Sequence, residues 1–192
     1  LTRFAKVFDQ TYTRFLDLQK AEAQAREAQI EAALERVRSS AMAMHISEDL
    51  HKVAEELRRQ IGQLDYKDLE TCAIHLYDES PDYFISWAAQ LSPDSESDIV
   101  QSHVHFPKTG VQIFDEMLEG YRSGKKDYVI VNEEKKMVEF LKTLKLYAPD
   151  AHQVVLNTFK DFNPEDYRSF WTISDFAGGS LIMTTLTRPD DA

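Results

Sequence analysis

Large apolar residues fall on a stripe from the start of the chain, first Phe4, Phe8, Phe15 and Leu18, then Ile30, Leu34, Val37, Ala41 and Met44. The second group alternates steps of four and three residues, the spacing of a coiled-coil seam. The first glycine is Gly62 and the first proline Pro81, and Ala, Gln, Glu, Arg and Leu dominate what precedes them. A long helix is therefore expected. At roughly 1.5 Å per residue, about sixty continuous residues would reach about 90 Å. Phe8 to Ile30 is three heptads plus one residue, so the two stripes are out of register, a slip that local unwinding can absorb. Between them residues 21–29 are alanine-rich and helical but poor in large apolar side chains, so a dimer would be held weakly there.

Near Ile46-Ser47-Glu48-Asp49 the seam stops, and Ser47 followed by two acids suits a new helix start or a bend. The next stripe, Leu50, Ala54, Leu57, Ile61 and Leu64 widened by Val53, is displaced by one residue and is expected to face the core of a domain, so the two helices should meet different partners. After Gly62 the period changes. Strands are expected over Thr71–Tyr77, Tyr83–Ala89, Ile99–Phe106, Tyr128–Val131, Tyr167–Ser174 and Ser180–Thr187, with Gly178-Gly179 as the final hairpin turn. Helices are expected over Val111–Ser123, Glu133–Leu146 and Pro149–Lys160. The fold class is α+β, an antiparallel sheet of about six strands with flanking helices, preceded by a long N-terminal helix. The expected division is a coiled-coil helix at 1–46 and a sensor-type domain at 47–192.

Composition sharpens this division. Of 22 Lys+Arg and 33 Asp+Glu, ten of each lie in residues 1–64, so residues 65–192 carry the whole net charge of −11. An acidic domain without a basic stripe argues against nucleic-acid binding. No apolar run reaches the roughly 18 residues that span a bilayer, so no direct membrane contact is expected. The lone Cys72 has no internal disulfide partner, which suits a cytoplasmic setting.

The order of elements resembles a GAF domain, a small-molecule sensor module of signalling proteins. The segment from Phe4-Ala5-Lys6-Val7-Phe8 to Leu34-Glu35-Arg36-Val37-Arg38 looks like the helix that connects GAF-like units in large bacterial sensor proteins, sensor histidine kinases among them. The resemblance implies that the chain begins with the exit helix of a preceding unit and stops before its own. It implies a place in a two-component or similar signal-transduction protein, next to further sensor or kinase domains, and names no ligand.

Candidate chemistry is sparse. The cyclic-nucleotide type of GAF domain carries an Asn-Lys…Phe…Asp-Glu signature, of which only the contiguous Phe114-Asp115-Glu116 is found; in the bilin type a Cys sits beside a His in a loop, whereas Cys72 lies mid-strand with His75 on the opposite face. Cys72 reads as a small core residue. His103 and His105 share a strand face, but a third metal ligand is lacking, so neither metal nor cofactor is assigned. If the domain holds a small molecule, Trp87, Phe106, Tyr128 and Trp171 are its expected walls. Asp94, Glu96 and Asp98 read as a solvated loop. His45, seven residues after Arg38, offers an alternative phosphoacceptor reading, weakened by Ile46 where an activating acid is needed. Neither a nucleophile elbow, a phosphate loop nor a His-Glu-x-x-His helix occurs.

The expectation is a non-enzymatic sensory or relay module that forms a homodimer through its N-terminal helix and passes conformational signals between neighbouring domains, with an unknown small molecule as a candidate ligand. The alternative is a ligand-free dimerisation spacer.

Overall fold

The computed structural model describes residues 2–45, 49–64, 66, 68–78, 80–92, 98–158, 163 and 167–188. Helix α1, Thr2–Met42, is unbroken over 41 residues, about 60 Å at the α-helical rise. It stops short of the candidate bend, and α2, Leu50–Gln63, runs back along its last turns, where Arg36 Nη1 donates to Gln60 Oε1 at 2.8 Å. The helical start therefore makes a hairpin, and no single 90 Å rod exists. Asp49 stands at the N-terminus of α2, its carboxylate accepting from the His45 backbone N–H at 3.0 Å and from Lys52 Nζ at 2.7 Å. Ser47, the expected cap, lies outside the described residues.

Six strands follow in the expected places: β1 Leu69–Leu76, β2 Tyr83–Leu91, β3 Ile99–Pro107, β4 Asp127–Glu133, β5 Arg168–Phe176 and β6 Gly179–Thr185. Helices α3 Gln112–Arg122, α4 Glu134–Tyr147 and α5 Pro149–Thr158 occupy the remaining expected stretches, and residues 159–160 at the expected end of α5 lie outside the described residues. All neighbouring strands are antiparallel, in the order β3-β2-β1-β6-β5-β4. The chain leaves the sheet at one edge, β3, crosses one face as α3, and re-enters at the other edge, β4.

Alternation along the strands divides the core in two. On one face Phe84, Phe106, Trp171 and Ile173 pack with Phe114, Met117 and Leu118 of α3. On the other Ile74, Trp87 and Ala89 pack with Val53 and Ala54 of α2, and Val37, Ala41 and Met44 join the same cluster. This corrects the expectation that the two helices meet different partners. The C-terminal third of the seam is used within its own chain, because a four-three apolar stripe is equally well covered by an antiparallel helix and a sheet.

Candidate functional site

A cavity of about 290 Å³ lies between the sheet and helices α4 and α5. Its origin is a run of small side chains at period two on the inward face: Ala73 on β1, Ser86 and Ala88 on β2, Ser102 on β3 and Ser169 on β5. Large residues resume at Phe84 and Phe106, which close one end against Phe114 with ring centroids 5.0 and 5.1 Å away. Met137, Phe140, Leu141 and Leu144 of α4 form the roof. Asp68, Glu70, Gln90, Tyr167 and Leu186 gather at the other end, where β1 begins and β2 and β6 finish.

Polar groups interrupt this apolar lining at chosen places. His75 sits opposite Ser86 across the β1–β2 ladder and is 3% exposed. Burial lowers its pKa to about 3, so the imidazole is neutral at neutral pH. The Nδ1 of His75, Nε2 of Gln90 and Nε1 of Trp171 are sealed from solvent without a hydrogen-bond partner. At the mouth, burial raises the Glu70 carboxyl to about 7, partly offset by the Tyr167 hydroxyl, which donates to Glu70 Oε1 at 2.6 Å. Tyr167→Phe should therefore raise the Glu70 titration further and cost about 1 kcal/mol at pH 8, less at pH 5. Urea unfolding midpoints at the two pH values measure this, and an equal loss at both would contradict it.

The β1 strand is irregular where it meets the mouth, with a register shift between Leu69 and Thr71. Arg58 of α2, 4% exposed, spans this irregularity by donating from Nη2 to the Leu69 carbonyl at 2.7 Å and from Nε to the Glu70 carbonyl at 3.4 Å. One side chain thus ties the helix on the outer face to the backbone at the cavity mouth. Cys72, fully buried nearby, has its thiol pushed up to about 12 by burial, with Arg58 opposing, and is held as the inert thiol.

Of the four expected pocket walls, Phe106 and Trp171 line the cavity. Trp87 points to the opposite face, stacked on His103 with centroids 3.7 Å apart, because it is odd-numbered on a strand whose even positions face the cavity. Tyr128 is not a lining residue; its hydroxyl donates to the Met117 carbonyl at 2.8 Å. His103 and His105 are exposed on the outer face, and His105 stacks on Tyr83. Among the described residues, no group of three or more His, Cys, Asp or Glu could hold a metal ion. Phe114 is a core residue of α3, and neighbouring Glu116 pairs with Lys136 at 3.0 Å. His45 is exposed beyond the end of α1, off any helix. Asp94 and Glu96 lie outside the described residues.

Gln90, Glu70 and Tyr167 were not singled out as site residues by sequence reasoning, and His75 entered it only beside Cys72. The signal was present in Phe84-x-Ser86-x-Ala88-x-Gln90, a buried strand face whose side chains shrink and turn polar.

No family model matches this chain, and no curated protein or solved structure is significantly similar to it.

The N-terminal half of α1 is the second candidate site. Phe4, Phe8, Phe15 and Leu18 are 77, 78, 50 and 55% exposed, with Val7 and Tyr12 beside them. Among the other seam residues Leu34 is also exposed, Ile30 is half-buried, and Val37, Ala41 and Met44 are the ones docked on the domain. Contiguous apolar surface of this kind marks a surface for association.

Proposed function

We propose that this chain is a non-enzymatic sensory or relay module of a cytoplasmic signal-transduction protein, of GAF type, that dimerises through the N-terminal half of α1 and links cavity occupancy to the position of that helix. The carrying observation is the exposed stripe of Phe4, Phe8, Phe15 and Leu18 on a helix whose other end docks on the sheet. A monomer would leave these four large side chains in water, whereas a second copy of the same helix buries them at about 1.5–3 kcal/mol each. The two copies form a coiled coil over this stretch, and neighbouring sensor or kinase domains of a longer chain supply the input and output.

The coupling follows from strand alternation. Ile74 and Leu76 face the α1–α2 cluster while His75 between them faces the cavity. A molecule that shifts β1 by filling the cavity shifts the surface on which Val37, Ala41 and Met44 rest. Two packings of α1 on that surface, differing by a few kcal/mol, would be biased by such a shift.

Replacing Phe4, Phe8, Phe15 and Leu18 together by serine tests the reading. The expected result is a dimer weakened about 100-fold or more, seen by light scattering after gel filtration, with the near-ultraviolet circular dichroism of the domain unchanged. Unaltered association would contradict it.

A further inference from the structure

We infer that the cavity takes an uncharged, largely apolar ring compound carrying hydrogen-bond acceptors, such as a carbonyl or ring oxygen, and rejects anions. This rests on the sensory reading above and adds to it the chemistry of the ligand.

Size sets the first limit. A cavity of about 290 Å³ sits at the lower end of the range of roughly 300–1,000 Å³ for small-molecule sites, so the occupant is a compact molecule of a few rings. The walls set the second. Phe140 and Trp171 meet edge to face at 5.1 Å and 89°, and with Phe114 they offer an aromatic surround to a flat apolar body.

Charge excludes the largest class of alternatives. Among the described lining residues there is no Lys or Arg, and the acids among them, Asp68 and Glu70, stand at the mouth. An anion entering past them would reach a floor of neutral imidazole and serine with no counter-charge, where desolvation of an unpaired charge is costly. Phosphate-bearing and carboxylate-bearing molecules are therefore rejected. Cations find acids only at the mouth, and Glu70 there already accepts the Tyr167 hydroxyl.

The unpartnered nitrogens specify the polar part. An indole N–H and an amide NH₂ can only donate, so Trp171 Nε1 and Gln90 Nε2 each lack an acceptor, and neutral His75 can present a further N–H. These atoms belong to residues that line the cavity, so an acceptor on a molecule inside it would satisfy them once the side chain turns towards it. Ladder pairing places Gln90, Thr71, Thr184 and Trp171 in one row across four strands, with His75 deeper on β1. The donors thus stand at separate corners, so a molecule with an acceptor at one end can meet one of them, which favours it over a plain hydrocarbon. Leaving such buried donors unpaired is the penalty that discriminates against the hydrocarbon.

Three probes of similar ring shape separate these claims: coumarin, which is neutral with two acceptor oxygens; naphthalene, which has none; and coumarin-3-carboxylate, which is anionic. Isothermal titration calorimetry of the full chain should show coumarin binding saturably at one site per chain, with naphthalene and the carboxylate each about tenfold weaker or worse. Ala88→Phe, which fills the cavity from β2, should abolish coumarin binding. Because that variant could misfold, the indole N–H resonance of Trp171 in the unmodified protein gives a second readout and should shift on coumarin addition. Absence of coumarin binding, equal binding of naphthalene or the carboxylate, or an unmoved Trp171 resonance would each overturn the inference. Gel filtration of the same samples keeps the two readings apart, since a dimer that ignores coumarin sinks the ligand chemistry alone.

Discussion

Gly179→Ala is expected to cost about 3 kcal/mol and to lower the midpoint of thermal unfolding by about 10 °C. Gly179 opens β6 opposite Leu76 on one side and Phe176 on the other. A methyl group there would lie 2.0 Å from the His75 carbonyl oxygen and 2.8 Å from Phe176 Cζ. The phenyl ring can turn away, but the carbonyl belongs to the central β1–β6 ladder and moves only with the backbone. The displaced strand carries His75 in the cavity floor and Ile74 in the outer cluster, so both faces of the sheet are disturbed together. Urea or thermal unfolding measures the loss; a change below about 0.5 kcal/mol, the size of an ordinary surface substitution, would show that this close approach is not needed.

A dome-shaped dependence of stability on pH is the second large effect, and each side has its own residue. The His75 pKa is about 3 in the fold against an ordinary 6.5, so its contribution is complete above pH 6.5 and is lost as the pH falls towards 3. Glu70 behaves oppositely. Its carboxyl is raised from 4.5 to about 7, so its contribution is complete below pH 4.5 and is lost as the pH rises through 7. Between pH 4.5 and 6.5 the two slopes oppose each other and stability is nearly flat. His75→Phe should flatten the acid side by about 2 kcal/mol near pH 3, and Glu70→Gln the alkaline side by about 0.7 kcal/mol, because only between pH 6.5 and 7 does the Glu70 slope run unopposed. Urea midpoints from about pH 3 to about pH 8 give the profile. If the side assigned to a residue keeps its slope after that residue is replaced, the burial argument for it fails.

The strands were legible because one face of each is filled by large apolar residues at period two and the turns between them carry Gly, Pro, Asp and Ser. Tyr83 and Ile99 begin their strands at the expected residues, and the ends move by only a few positions. The partner of the α1 seam was not legible. Ile30, Leu34, Val37, Ala41 and Met44 have the spacing of a helix stripe, and spacing says that a stripe is covered without saying by which chain. The structure covers Val37, Ala41 and Met44 from within and leaves Phe4, Phe8, Phe15 and Leu18 outside. The one-residue slip in the sequence falls between those two groups.

The cavity was only half legible, for a related reason. Aromatic residues attract notice, yet their face depends on strand parity, which put Phe106 and Trp171 inside and Trp87 outside. What makes the space is the absence of bulk at Ala73, Ser86, Ala88 and Ser169, and small residues carry little pattern of their own. Glu70 and Tyr167 lie 97 positions apart in the chain and meet only because β1 and β5 flank β6.

The outward stripe on α1 is the point on which the functional account depends. Sedimentation equilibrium of the unmodified chain from low to high micromolar concentration tests it most directly, with helicity followed by circular dichroism on the same samples. The account predicts twice the chain mass at the upper end, dissociating on dilution. A monomer throughout that range, with α1 still helical, would contradict it.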